Sequence, residues 1–166
     1  MTSKTITCNN NANQAYLVRQ YVSNPIAGQS ISGTVKGQVL ADETSANTDG
    51  VTAIIIYLVD STGTYKSTLR ALTYPALSGN EFALTETNRY IPVSTSLTTQ
   101  TASNGDRIVV EFGVYSYKKN TAIAYLVFGD NNATDLPEDQ TTVTQNNPWI
   151  EFSQDIRFPT QGLIEF

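Results

Sequence analysis

The sequence contains no histidine. A Ser-His-Asp or Cys-His catalytic set therefore cannot be assembled, and the commonest zinc ligand sets lose a member. Cysteine occurs once, at Cys8, so no disulfide forms within the chain. That fits synthesis in a reducing cytoplasm. Cys8 lies in a polar stretch whose nearest basic residue is Lys4, which gives a thiol little help in ionising. No run approaches the ~18 apolar residues of a membrane-spanning helix. Met1–Asn13 is polar and rich in Asn and Thr, without the apolar centre of a secretion signal. No glycine-rich phosphate loop follows a strand and opens a helix. Charge is scarce too: 15% of residues are charged, with 10 Lys and Arg against 15 Asp and Glu, a net charge of −5. A mildly acidic surface repels phosphate, which argues against nucleic acid as the main partner. The expectation is a non-enzyme without cofactor, nucleic-acid partner or membrane partner.

What is present points to strands. The chain has 166 residues, the size of one domain, and can bury a core without cross-links. Thr, Val, Ile and Tyr are plentiful, and these residues suit a pleated, half-buried surface. Tyr16–Val22 reads as a strand stopped by Asn24-Pro25. Ile31–Leu40 reads as a second strand, with Gly33 and Gly37 on its apolar face marking a close neighbour or a bulge. Val51–Asp60 is apolar on both faces, as a central strand is, or as a strand with one face against a partner. Thr64–Leu72 returns after the Ser61-Thr62-Gly63 turn. Glu81–Leu84 and Arg89–Val93 read as short strands. Arg107–Tyr117 and Thr121–Phe128 alternate on either side of Lys118-Lys119-Asn120, a pattern that predicts a hairpin. Trp149–Phe158 is the last strand. Seven or more short strands without a helical period predict an all-β, antiparallel, jelly-roll-like β-sandwich with extended N- and C-terminal segments.

Chemistry-bearing residues are few. Residues 129–147 form a long polar loop, and loops of that length are usually functional or mobile. Asp130, Asn132 and Asp135 within it imitate the start of a calcium loop, but Asp135 stands where the sharp turn wants glycine and no final Glu follows. The alternative is a solvated acidic loop. Glu111 is the best single candidate for glycoside hydrolysis, yet its place in the alternation makes it an ordinary outward residue and no partner carboxylate is evident. The nine tyrosines suit a sugar platform or a subunit contact. Tyr115 and Tyr117 share the outward face of Glu111 and Arg107. With Tyr16, Tyr21 and the C-terminal Leu163, Ile164 and Phe166, they form the set of candidate partner-binding residues.

Three segments carry a resemblance. They are Ile31-Ser32-Gly33-Thr34-Val35-Lys36-Gly37, Asn104–Gly113, and Gly129–Asp139 running on to Asn147-Pro148-Trp149-Ile150-Glu151-Phe152. In this order the chain resembles β-sandwich proteins encoded among the structural genes of tailed bacteriophages, notably in aquatic viruses. The match covers about residues 28 to 153. It implies a virion protein without enzymatic activity, made in the host bacterial cytoplasm. Within that class it points to a capsid decoration or cement protein at the capsid surface. Its partners would be the major capsid protein or other virion proteins, and copies of itself, as a trimer. A glycan-binding adhesion module of a tail, fibre or capsid surface is the alternative. On this reading residues 1–27 are an arm and first strand, 28–158 the sandwich, and 159–166 an extension.

Overall fold

The computed structural model describes residues 2–8, 13–117, 122–128 and 134–159, with the backbone alone for 2–8, 92–95 and 122. Eleven strands are present among them and no helix: β1 (Thr2–Cys8), β2 (Gln14–Val22), β3 (Gln29–Ile31), β4 (Thr34–Glu43), β5 (Gly50–Val59), β6 (Tyr65–Thr73), β7 (Thr87–Ser96), β8 (Gln100–Ala102), β9 (Arg107–Ser116), β10 (Ala122–Phe128) and β11 (Trp149–Phe152). Every strand pairing is antiparallel. One sheet runs β2-β9-β5-β6. The other is built on β4, which pairs with β7 along one edge. Along its opposite edge β4 pairs first with β11 and then with β10, and β1 pairs with β10 beyond. A short β3-β8 pair closes one end.

The core lies between these two sheets. The even positions of β5, Ile54, Ile56 and Leu58, face inward, as do Ile108, Val110, Phe112 and Val114 of β9. They meet Val35, Val39, Ala41 and Ile91 from the opposite sheet. Thr52 also faces inward and donates its hydroxyl to the Tyr90 carbonyl at 2.7 Å, which satisfies a polar group between the layers. Strand β5 is central, between β9 and β6, one of the two arrangements its apolar faces allow.

The pairing differs from the sequence expectation in one important respect. Strands β9 and β10 do not form a hairpin. Both edges of β9 are occupied, by β2 and by β5, so β10 has no ladder to join and crosses to the other sheet. Alternation establishes that a strand has a buried face, whereas a hairpin also needs a free edge. The predicted strand 31–40 is likewise divided. Gly33 takes a φ of 85°, a left-handed conformation that glycine adopts without strain, and the chain passes from β3 to β4 there. Gly37 meets the sequence expectation: an added Cβ would run into the Trp149 carbonyl oxygen, and the register shifts between Val35 and Gly37. Residues 81–84 are not a strand. Phe82 there packs into the core and donates its amide to the Gly50 carbonyl at 2.9 Å.

Candidate functional site: an apolar sheet face

The two outer faces of the sandwich differ. The β4 sheet carries the 134–148 segment on its outer side. Leu136 is buried there with Leu40 and Val127, and Trp149 packs beside them. The indole Nε1–H of Trp149 donates to the Leu136 carbonyl at 2.6 Å. Asn88 donates its side-chain amide to the Pro137 carbonyl at 2.7 Å, and its backbone amide to the Thr142 carbonyl at 2.7 Å. Half-buried Arg89 reaches the Gln140 carbonyl at 3.1 Å. Burial pushes its guanidinium below the ordinary value, opposed by the Glu43 charge. Asp139 accepts hydrogen bonds from the amides of Thr141 and Thr142 and from the Thr142 hydroxyl, each at 2.8 Å. These donors hold its carboxyl down at about 2, because hydrogen bonds to a carboxylate favour the charged form. The described part of the long loop is therefore pinned over the sheet by its own backbone.

On the outer side of the β2-β9-β5-β6 sheet, Val51, Ala53, Val59 and Val109 of the central strands are buried, and the exposed apolar side chains stand on the edge strands β2 and β6. The outward positions are Ala15, Leu17, Gln20 and Val22 of β2, Arg107, Val109, Glu111, Gly113 and Tyr115 of β9, and Val51, Ala53, Ile55, Tyr57 and Val59 of β5. Leu17 is 54% exposed, Val22 52%, Tyr65 60% and Leu72 42%. Leu17 and Val22 lie on one edge strand and Tyr65 and Leu72 on the other, with Leu17 and Leu72 on either side of one depression. Gly113 and Ala53 are its low point. With Ala15, Leu17, Ile55 and Leu72 around them, they floor a depression of about 190 Å³. Gly113 is required because an added Cβ would run into the Tyr16 carbonyl oxygen, beside the register shift of β2 at Leu17/Arg19.

One polar group sits in the middle of this face. Glu111 accepts hydrogen bonds from Gln20 Nε2 and from the Tyr57 hydroxyl, both at 2.9 Å. The Tyr57 hydroxyl is held above its ordinary value, first by burial and then by its hydrogen bond to Glu111 and the charge there. Toward one end, Tyr74 and Tyr115 stack at 3.6 Å and 7°. Tyr117 meets both edge-on and donates its hydroxyl to the Pro75 carbonyl at 2.9 Å. The two stacked rings thus cover one face of each other.

The candidate residues named from sequence fall in different places. Tyr115 and Tyr117 lie on the outer face with Glu111. Tyr16 and Tyr21 point to the inner side of β2, opposite Val114 and Val110. Tyr16 packs against the core and donates its hydroxyl to Gln14 Oε1 at 2.7 Å. Tyr21 lies edge-on to Phe112 at 5.8 Å. Asp135 is exposed and forms a single parallel bridge with Asn147. Among the described residues no group of three His, Cys, Asp or Glu side chains is placed to hold a metal ion. Asp130, Asn132, Leu163, Ile164 and Phe166 lie outside the described residues. The residues that sequence reasoning missed are Leu17, Val22 and Leu72. The two-faced apolarity of Val51–Val59 was the available signal, since a central strand has no need of Ile55 on a solvent face.

No family model matches the sequence, and no curated protein matches it. Solved structures with some likeness include the VP2 subviral particle of infectious bursal disease virus, at 11% identity and a TM-score of 0.29, over 78% of this chain and 34% of that one. The structure of the Gx strain of the same virus gives 13% identity and a TM-score of 0.25, over 79% and 33%. The T13 particle of that virus gives 12% and 0.21, over 75% and 38%. The chain thus spans about a third of the length of those chains. Likeness at this level assigns neither activity nor partner.

Proposed function

We propose that the chain is a non-enzymatic virion structural protein, a capsid decoration or cement protein that docks on capsid subunits through the outer face of the β2-β9-β5-β6 sheet. The observation that carries the proposal is the two exposed apolar edges of one sheet, Leu17 and Val22 on β2 and Tyr65 and Leu72 on β6, on either side of the apolar depression. The three sequence segments that resemble phage structural proteins supply the class of partner. The dimensions suit such a contact. Four strands at ~4.8 Å and about nine residues at ~3.4 Å give a face of roughly 600 Å². A standard interface takes about 800 Å² from each partner, so this face would supply most of one. Charge is also low there: the outward positions of β2, β5 and β9 include one acid, Glu111, and one cation, Arg107, against a net charge of −5 for the chain. Depletion of charge is what distinguishes interface cores from other surface. Many identical contacts over a shell would then add up to firm retention.

The test is binding of purified protein to capsids stripped of it. The double variant Leu17→Asp, Leu72→Asp should fold as the wild type does and lose capsid binding at least a hundredfold. Equal binding by variant and wild type refutes the docking face. A second reading, a glycan-binding adhesion module, draws on Tyr65 beside Tyr57, with ring centroids 6.0 Å apart, next to the Glu111–Gln20 pair. Saturable binding of a glycan that Tyr65→Ala abolishes would favour it, with capsid binding unaffected.

A further inference from the structure

A second apolar feature lies between the sheets and is independent of the virion reading. Where β10 ends at Phe128 and β11 begins at Trp149, successive partners of β4 meet end to end. Facing this junction across the sandwich is Tyr21, on the edge strand β2 and 42% exposed. The space between is a cleft of about 280 Å³, walled by Val39, Ile91, Val110, Phe112, Phe128 and Ile150 and bordered by Tyr21. An apolar cavity of ~150 Å³ is enough to hold a benzene ring, so this one has room for a larger ring or a chain of several carbons.

The rim of the cleft is cationic. The Arg19 guanidinium carbon stands 5.4 Å from the centre of the Tyr21 ring and 5.2 Å from that of Phe128. Both rings belong to the cleft wall. None of the ion pairs among the described residues includes Arg19. A guanidinium over two aromatic faces is held in place by cation–π attraction, with its fork of donors free to grip a carboxylate. The inward lining side chains other than Tyr21 are aliphatic or phenyl groups, so the wall itself asks for apolar contact. We infer that this cleft binds a small apolar carboxylate, with the hydrocarbon body between the sheets and the carboxylate on Arg19.

Octanoate titrated into the full chain should bind saturably at one site by calorimetry. 1-Octanol, which shares the chain and lacks the charge, should bind at least tenfold more weakly. Arg19→Gln should weaken octanoate tenfold or more and leave octanol unchanged, while Arg19→Lys should recover part of the octanoate affinity. No saturable binding below the concentration at which octanoate self-associates overturns the inference. Equal affinity for octanoate and octanol in the wild type also overturns it. Should Arg19→Gln lose its cooperative melt, the wild-type comparison of the two probes decides alone.

Discussion

Replacing Gly113 with alanine joins the fold to the proposed docking face in one atom. The new Cβ would point outward into the floor of the apolar depression and collide with the Tyr16 carbonyl oxygen, with the Tyr16 carbonyl carbon at 3.1 Å. Backbone on a paired strand cannot swing aside as a side chain does, so β2 must move away from β9. Forcing a methyl group into a packed site costs about 1–3 kcal/mol, and each weakened ladder hydrogen bond adds about 1 kcal/mol. The expected loss is therefore about 2–4 kcal/mol. For a domain of this size that corresponds to a fall of about 5–12 °C in melting temperature. Gly28→Ala is the control: its nearest contacts are 3.4–3.6 Å away and begin with the Asn104 side chain, so it should cost under ~1 kcal/mol. Urea unfolding followed by Trp149 fluorescence and circular dichroism measures both. A Gly113→Ala midpoint no lower than that of Gly28→Ala would refute the close approach of β2 to β9, and with it the shape of the depression.

Three further outcomes are expected. Asp139 is held down at about 2 in the folded protein, against ~3.9 for a free aspartate. Its contribution is therefore complete above pH ~4 and is lost as pH falls through about 2; amide exchange at Thr141 and Thr142 should accelerate over that window, and Asp139→Asn should remove the pH dependence. Trp149→Phe leaves the Leu136 carbonyl without its indole donor, at a cost of about 1–2 kcal/mol, seen as faster exchange at Leu136 and Asn147 and a lower melting temperature by circular dichroism. Glu111→Gln keeps a hydrogen-bonding group beside Gln20 and Tyr57 and should change stability by less than ~1 kcal/mol; a larger loss in urea unfolding would show that the charge itself organises this face.

Much of the fold was legible and less of the site. The period-two pattern located β5, β6, β9 and β10, because a half-buried strand must alternate. Their partners were not legible. The polar turn after Tyr117 fits a hairpin and a crossing between sheets equally well, and only the occupation of both β9 edges, by β2 and β5, separates the two. Gly37 could be read as a point of close approach, whereas Gly33 looked like a member of the same strand, since a left-handed φ leaves no trace in an alternating pattern. The tyrosines drew attention as a class, yet Tyr16 and Tyr21 face inward and Tyr115 faces outward. The bulge after Leu17 puts Tyr16 and Tyr21, five residues apart, on the same inner face, since a bulge shifts every later side chain to the other face. The long loop promised a site by its length and acidity. Its described part is instead tied to the sheet through Asn88, Arg89 and Trp149, which left the bare face of the other sheet as the place for a partner.

The central claim is that this bare face meets a capsid. An electron cryomicroscopy reconstruction of the intact particle tests it most directly. The account predicts hundreds of copies on the capsid shell, each with Leu17, Ile55 and Leu72 against a capsid subunit. A handful of copies at the tail, or copies on the shell with that face toward solvent, would contradict it.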